Sequence, residues 1–254
     1  MDKLSVIIIT RNEESNIRDC LGSVKWAGEI VLVDQSSADK TVEIAKEFTD
    51  KIYITENKDF CEPDRMFAIS KASNEWILAL DADERVSDEL KQEIVSLLEQ
   101  KDKLDAYYIR RRTYFLGKWI KGCGWYANVL RLFKKGKVSF SGRIHEPGCP
   151  LGSVGYLRGH IMHYSYGSLN EYFEKFNRYT SVVAKEEYEK GIRINRGNFL
   201  LLFFIKPMYF FVRKYFLQRG FMEGWRGFFI SFSASLGLFM TYAKLWEKQN
   251  YSKK

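Results

Sequence analysis

Two short apolar runs in this chain each end in aspartate: Ile30-Val31-Leu32-Val33-Asp34, then Trp76-Ile77-Leu78-Ala79-Leu80-Asp81-Ala82-Asp83. Carboxylates spaced i, i+2 at the carboxyl end of a buried strand can hold a hard divalent cation against a diphosphate, which is chemistry suited to a nucleotide sugar. An isolated Asp-x-Asp says little, because carboxylates cap loops and helices everywhere. Here it has company: Thr10-Arg11-Asn12-Glu13 follows the apolar run Leu4 to Ile9, and Asp34 follows the second run. In an open parallel sheet, ligands bind beyond the carboxyl ends of the strands, so three strand ends bring these groups to one edge.

The elements that must position them alternate at the lengths of βαβ units. Strands are expected at Leu4 to Ile9, Glu29 to Asp34, Lys51 to Thr55 and Glu75 to Leu80. Helices are expected from Glu13 to Val24, from Thr41 to Phe48, from near Pro63, and from a Ser87 cap to Glu99. After that, Ala106 to Tyr114 and Val129 to Phe133 read as strands around a Gly-rich stretch. Val138 to Tyr166 reads as irregular, with a strand or turn over Arg158 to His163, holds all three histidines, and has the character of a site-forming region. Ser168-Leu169-Asn170-Glu171 is a capping box that opens a helix ending at Gly191.

At 254 residues, 46% hydrophobic and 16% aromatic, the chain can bury a substantial core. Cys20, Cys61, Cys123 and Cys149 show no metal-binding spacing, and the first apolar run is too short for a signal peptide; the expectation is a cytoplasmic protein with reduced thiols. The net charge of +8 is uneven. Residues 193 to 254 carry eleven Lys/Arg against Glu223 and Glu247, leaving a nearly neutral body with a basic tail.

Taken together, Leu4 through Glu13, Glu29 through Asp34 and Trp76 through Glu84 resemble family 2 glycosyltransferases of the GT-A fold. Arg143-Ile144-His145-Glu146 and Arg219-Gly220-Phe221-Met222-Glu223-Gly224-Trp225-Arg226-Gly227 resemble the bacterial lipopolysaccharide core glucosyltransferase subgroup. The resemblance implies an α/β, Rossmann-like, mixed but mostly parallel sheet flanked by helices. Residues 1–167 would form the catalytic domain and residues 168–254 a helical extension, interfacial or dimerising.

The resemblance also implies roles. Thr10, Arg11 and Glu13 would line the nucleotide pocket, and Asp34 would accept a hydrogen bond from uracil. Asp83 would bind Mg²⁺ or Mn²⁺, with Asp81 on the ribose or in the metal shell and His163 completing that shell or touching the diphosphate. Arg65 falls where relatives place a basic nucleotide contact, or is a surface helix residue; Arg110-Arg111-Arg112 and Arg131 are equally open between phosphate contact and alternating exposure. For an inverting transfer, the base would be Glu146, with His145 either orienting it or acting instead; the Gln-x-x-Arg-Trp run of many relatives is missing here. A haloacid-dehalogenase-like phosphatase also carries Asp-x-Asp after a strand, but that motif opens its fold and has Thr or Val where this chain has Arg85. A non-catalytic membrane-bound scaffold is the third reading.

From Phe199 onward, seventeen of the forty aromatics are interleaved with Lys and Arg. Gly227 to Ala243 lacks charge but is slightly short for a span, so the expectation is peripheral contact through residues 199–246 with the cytoplasmic face of the inner membrane, beside a glycolipid or glycan acceptor. Packing on the protein or on a second copy, as a homodimer, is the alternative. Nucleic acid is not expected, because the apolar runs are longer than a phosphate-tracking groove requires.

Overall fold

The computed structural model describes residues 3–57, 62–140 and 148–251. Two compact units are present: residues 1–112 with 127–164, and residues 113–126 with 165–254.

The first unit is built on strands β1 (Leu4–Thr10), β2 (Glu29–Asp34), β3 (Ile52–Ile54) and β4 (Trp76–Asp81), which pair in parallel in the order β3-β2-β1-β4. Every residue of β1 is buried, as a strand covered on both faces requires. Its even-numbered side chains Val6 and Ile8 pack with Leu32 and Leu78 against α1 (Ile17–Val24) and, further along, α4 (Asp88–Glu99). Its odd-numbered Ile7 and Ile9 pack with Val31, Val33 and Ala79 against α3 (Glu62–Lys71). A short helix, α2 (Thr41–Ala45), joins β2 to β3.

Beyond β4 the sheet turns antiparallel. A three-residue strand, β5 (Glu84–Val86), follows the Asp-x-Asp directly, and the path continues from β4 through β8 (Ala127–Lys134), β6 (Ala106–Phe115) and β11 (Val154–Tyr166) to β5. Ser87 caps α4 as its sequence suggests, its Oγ accepting from the Leu90 N–H at 3.2 Å.

The largest departure from the sequence reading is β11. Val154–Tyr166, expected to be irregular apart from a strand or turn over Arg158 to His163, forms one thirteen-residue strand with Leu157, Gly159 and Ile161 inward. Glycine and histidine at these positions hide the alternation. Gly159 is dictated by α4: a Cβ there would lie 2.4 Å from the Leu90 Cα.

In the second unit, β7 (Lys118–Ile120) pairs with the end of β6, and Phe115, Ile120 and Cys123 pack with Tyr172 and Ile230. That apolar contact draws residues 113–126 into this unit rather than the body that the sequence reading assigned them to. Two further short strands, β9 (Val138–Ser139) and β10 (Cys149–Pro150), form a separate antiparallel pair in the first unit.

The Ser168 capping box holds: its Oγ accepts from Glu171 N–H at 3.1 Å, and Glu171 accepts from Gly167 N–H at 2.9 Å, starting α5 (Leu169–Glu189). Next comes α6 (Lys206–Val212), flanked by π-helical turns at Leu201–Ile205 and Arg213–Leu217, and then the long α7 (Trp225–Tyr251). Between them Glu223 is buried and accepts from the N–H groups of Lys121 (2.9 Å) and Gly122 (3.1 Å) and from Lys118 Nζ (3.1 Å). A Cβ at Gly227 would lie 1.8 Å from the Gly220 carbonyl oxygen, so only glycine allows this crossing. By length and composition α7 is apolar enough to cross a membrane. It is also well partnered inside this unit, with Tyr172 donating to Ser233 at 2.7 Å and Lys244 donating to Asn177 Oδ1 at 2.7 Å.

Candidate active site

Strand register sets the first wall. Thr10 lies opposite Asp34, and Ile9 opposite Asp81, so the three expected strand ends meet on one edge. Asp34 is buried, and its carboxylate accepts from the Ser37 N–H (2.8 Å) and Ser37 Oγ (2.5 Å), tightening the turn after β2. The loops after β1 and β2 are laced together: Asn12 N–H donates to Ser37 Oγ, Glu13 N–H to Thr41 Oγ1 and Ala38 N–H to Asn12 Oδ1, each at 2.8 Å. Asn12 takes φ 52°, a left-handed conformation that Asn tolerates better than most side chains.

The other three nucleotide-side candidates, Thr10, Arg11 and Glu13, differ in their surroundings. Thr10 is buried with an Oγ1 that meets no hydrogen-bond partner among the described residues, the kind of orphaned group that a ligand satisfies. Arg11 is half-buried in the turn. Glu13 accepts from Asn16 Nδ2 at 2.8 Å and so serves the first turn of α1.

The second wall is an ion-pair network below the Asp-x-Asp. Asp81 accepts from Arg131 Nη2 on one oxygen, and from Arg65 Nη2 (3.3 Å) and Arg131 Nη1 (3.4 Å) on the other. Glu84, fully buried, accepts from the Asp81 N–H (3.0 Å) and from Arg131 Nη2 (2.8 Å), with Arg111 Nη1 3.5 Å away. Burial alone would raise the pKa of Asp81; Arg131, Arg65 and Arg111 outweigh it and hold the carboxylate ionised, well below its usual range. Cys20, buried on α1, donates its thiol to the Asp81 carbonyl at 3.6 Å, and burial pushes that thiol's pKa far up.

Asp83 faces another way. Its carbonyl accepts from the Tyr164 N–H at 2.9 Å, and β11 lies antiparallel to β5 with His163 opposite Glu84. This register sets His163 Nε2 3.3 Å from Asp83 Oδ2, both side chains largely shielded. His160, three residues earlier on the same strand, projects from the other face. Its pKa is lowered by burial and then by Arg112 and Arg110.

One carboxylate oxygen and one imidazole nitrogen, side by side, suit Mg²⁺ or Mn²⁺ that takes its remaining ligands from phosphate and water. Asp81 fits that set poorly, since both its oxygens already face arginines. Among the described residues there is no cluster of three or more His, Cys, Asp or Glu able to hold an ion alone.

Arg65 is buried rather than on the surface, with its guanidinium 5.5 Å from the centre of the Phe140 ring. His145 and Glu146 lie outside the described residues. Sequence reading overlooked Asp64, fully buried and accepting from Gln35 Nε2 (2.8 Å) and Thr55 Oγ1 (3.0 Å), and it overlooked the role of Glu84. Gln35, directly after the strand-ending Asp34, was the one local signal for the Asp64 cluster; nothing local marked Glu84.

Comparison with known proteins agrees with this geometry. The model for glycosyl transferase family 2 matches residues 5–165. The lipopolysaccharide core biosynthesis glycosyltransferase LpsC of Rhizobium meliloti (strain 1021) is 30% identical over 96% of this chain and 92% of its own length. An uncharacterised glycosyltransferase of Rickettsia typhi is 31% identical over 97% of this chain and 88% of its own. Among solved structures, S. aureus TarS residues 1–349 shares the fold at 13% identity, with a TM-score of 0.51 over 99% of this chain and 92% of that one. The same region of TarS in complex with UDP aligns at 14% identity, with a TM-score of 0.50 over 71% of this chain and 65% of that one. A parallel βαβ sheet of the GT-A kind, with acidic groups gathered at its strand ends and a family match spanning most of the sequence, makes this chain a glycosyltransferase belonging to glycosyl transferase family 2.

Proposed function

We propose that the enzyme transfers a sugar, with inversion, from a UDP-linked donor to a hydroxyl of a surface glycolipid of the lipopolysaccharide core type. One observation carries the donor half: Thr10, Asp34 and Asp81 lie in register at the carboxyl ends of three adjacent parallel strands, and Asp83, two residues beyond, is paired with His163. The likeness to LpsC supports the acceptor class, and the UDP complex of TarS supports the nucleotide. Family membership leaves no place for the phosphatase reading.

In this proposal Thr10 and Asp34 hold the nucleoside, and Arg11 and Arg65 supply positive charge to the donor. Asp83 and His163 would hold Mg²⁺ or Mn²⁺, which when bound offsets the charge of the departing diphosphate. Asp81 stays with its arginines, close to the ribose rather than on the ion. The acceptor oxygen attacks the anomeric carbon as the bond to the diphosphate breaks, and the acceptor proton passes to Glu146, oriented by His145. The protein works at the cytoplasmic face of the inner membrane, touching it peripherally through residues 199–246.

Donor hydrolysis and transfer across a panel of UDP-sugars with Mn²⁺ tests this. Asp83→Ala is expected to lower turnover by about 100-fold, and Glu146→Gln by a similar factor, with UDP binding in the absence of metal retained. Full activity of Asp83→Ala would remove the metal assignment. Normal turnover of Glu146→Gln beside an inactive His145→Ala would exchange their roles, and a wild type inert to every donor would return the scaffold reading.

A further inference from the structure

Along the helix that contains α6, Leu200, Phe204, Met208, Val212 and Phe216 recur every fourth residue, and all five are well exposed, Met208 and Leu200 at 65% and 62%. In an uninterrupted α-helix, with 3.6 residues per turn, a row spaced by four winds gradually around the axis. Here the π turns at Leu201–Ile205 and Arg213–Leu217 are wider and swing the row back, so it stays on one side. Past the turn, Met222 and Trp225 add further exposed apolar surface, 65% and 54%. Soluble monomers rarely leave so many large apolar side chains together in water.

Charge decides between the candidate occupants. From Arg193 to Trp246 the sequence has one carboxylate, Glu223, and that one is buried against Lys118 and two backbone N–H groups. Arg213, next in sequence to Val212, and Arg219, two residues past Leu217, are both exposed. A second copy would bring the same positive surface to meet this one, whereas an anionic bilayer offers both an apolar interior and opposite charge. The longer α7 is the weaker candidate, because its polar side chains and the Gly220–Gly227 crossing already engage it within the unit.

We infer that the helix Leu200–Leu217 lies in the plane of an anionic bilayer, with the Leu200-to-Phe216 row among the acyl chains, Arg213 and Arg219 at the headgroups, and α7 not spanning. This rests on the reading of the acceptor as a membrane glycolipid. Co-sedimentation of the full chain with phosphatidylcholine vesicles, with and without phosphatidylglycerol, tests it. Wild type is expected on the anionic vesicles and to be released partly by salt, and Phe204→Ser with Met208→Ser to bind about tenfold less. Arg213→Glu with Arg219→Glu should lose the preference for phosphatidylglycerol.

Should the apolar double variant fail to fold, quenching of wild-type tryptophan fluorescence by brominated lipid decides instead, with the quenching reduced in Trp225→Phe if the inference holds. Absence of quenching, undiminished binding by the double variant, or a wild-type dimer that the variant converts to monomer would each overturn it. Hydrolysis of UDP-sugar in solution, measured without vesicles, fails only if the transferase reading fails.

Discussion

The network at the end of β4 and the helix around α6 depart from the usual distribution of side chains in opposite directions. At the first, Glu84 and Arg131 are charged and buried; at the second, Phe204 and Met208 are apolar and exposed. Buried ions are tolerated because each meets a counter-ion, with Glu84 also accepting a backbone N–H, and removing one partner strands the other. Exposed hydrophobes have no such dependence on their neighbours. The contrast teaches that the first region is sensitive in the isolated protein, and the second only when a partner surface is present.

Arg131→Met is the sharpest way to break the comparison. It leaves Glu84 fully buried without its closest cation, and the variant is expected to be less stable by about 3–5 kcal/mol in urea denaturation. A loss below about 1 kcal/mol would mean the network tolerates an unpaired charge.

Glu29 extends the buried-ion logic to the opposite end of the sheet. Burial opposes its ionisation, yet Lys51, Ser5 and Ser73 hold its pKa at about 2, below the ordinary 4.5. With the folded value depressed, its contribution is present above about pH 4.5 and disappears as pH falls toward 2. Denaturant midpoints measured across that window should fall faster for wild type than for Glu29→Gln. The smallest effect is expected at Met208→Ser, which should change stability by no more than about 0.5 kcal/mol while weakening vesicle binding. A large loss of stability there would show that the row packs against the protein after all.

The parallel half of the fold was legible because its strands are short unbroken apolar runs, and three of the four, β1, β2 and β4, end in the aspartate or Thr-Arg-Asn-Glu that marks the site edge. Asp83 with His163 was readable only as a suggestion, since their meeting depends on the register between β5 and β11. The partnership of Glu84 with Arg131 was beyond reach, because 47 residues separate them and neither has a local spacing signature. Likewise, only the middle of β11 was readable, as a strand or turn over Arg158 to His163, because Gly155, Gly159 and the histidines interrupt its alternation. The tail's composition was plain from sequence, but its outward face was not, because a four-residue repeat becomes straight only when π turns are present.

Cys20 gives the site a built-in gauge. Its thiol sits beneath the Asp81 carbonyl with no solvent exposure and with its ionisation opposed, so a thiol reagent reaches it only when the end of β4 lifts from α1. The labelling rate of this one sulfur therefore reports how often the strand ends open, and a bound donor that clamps them should slow that clock.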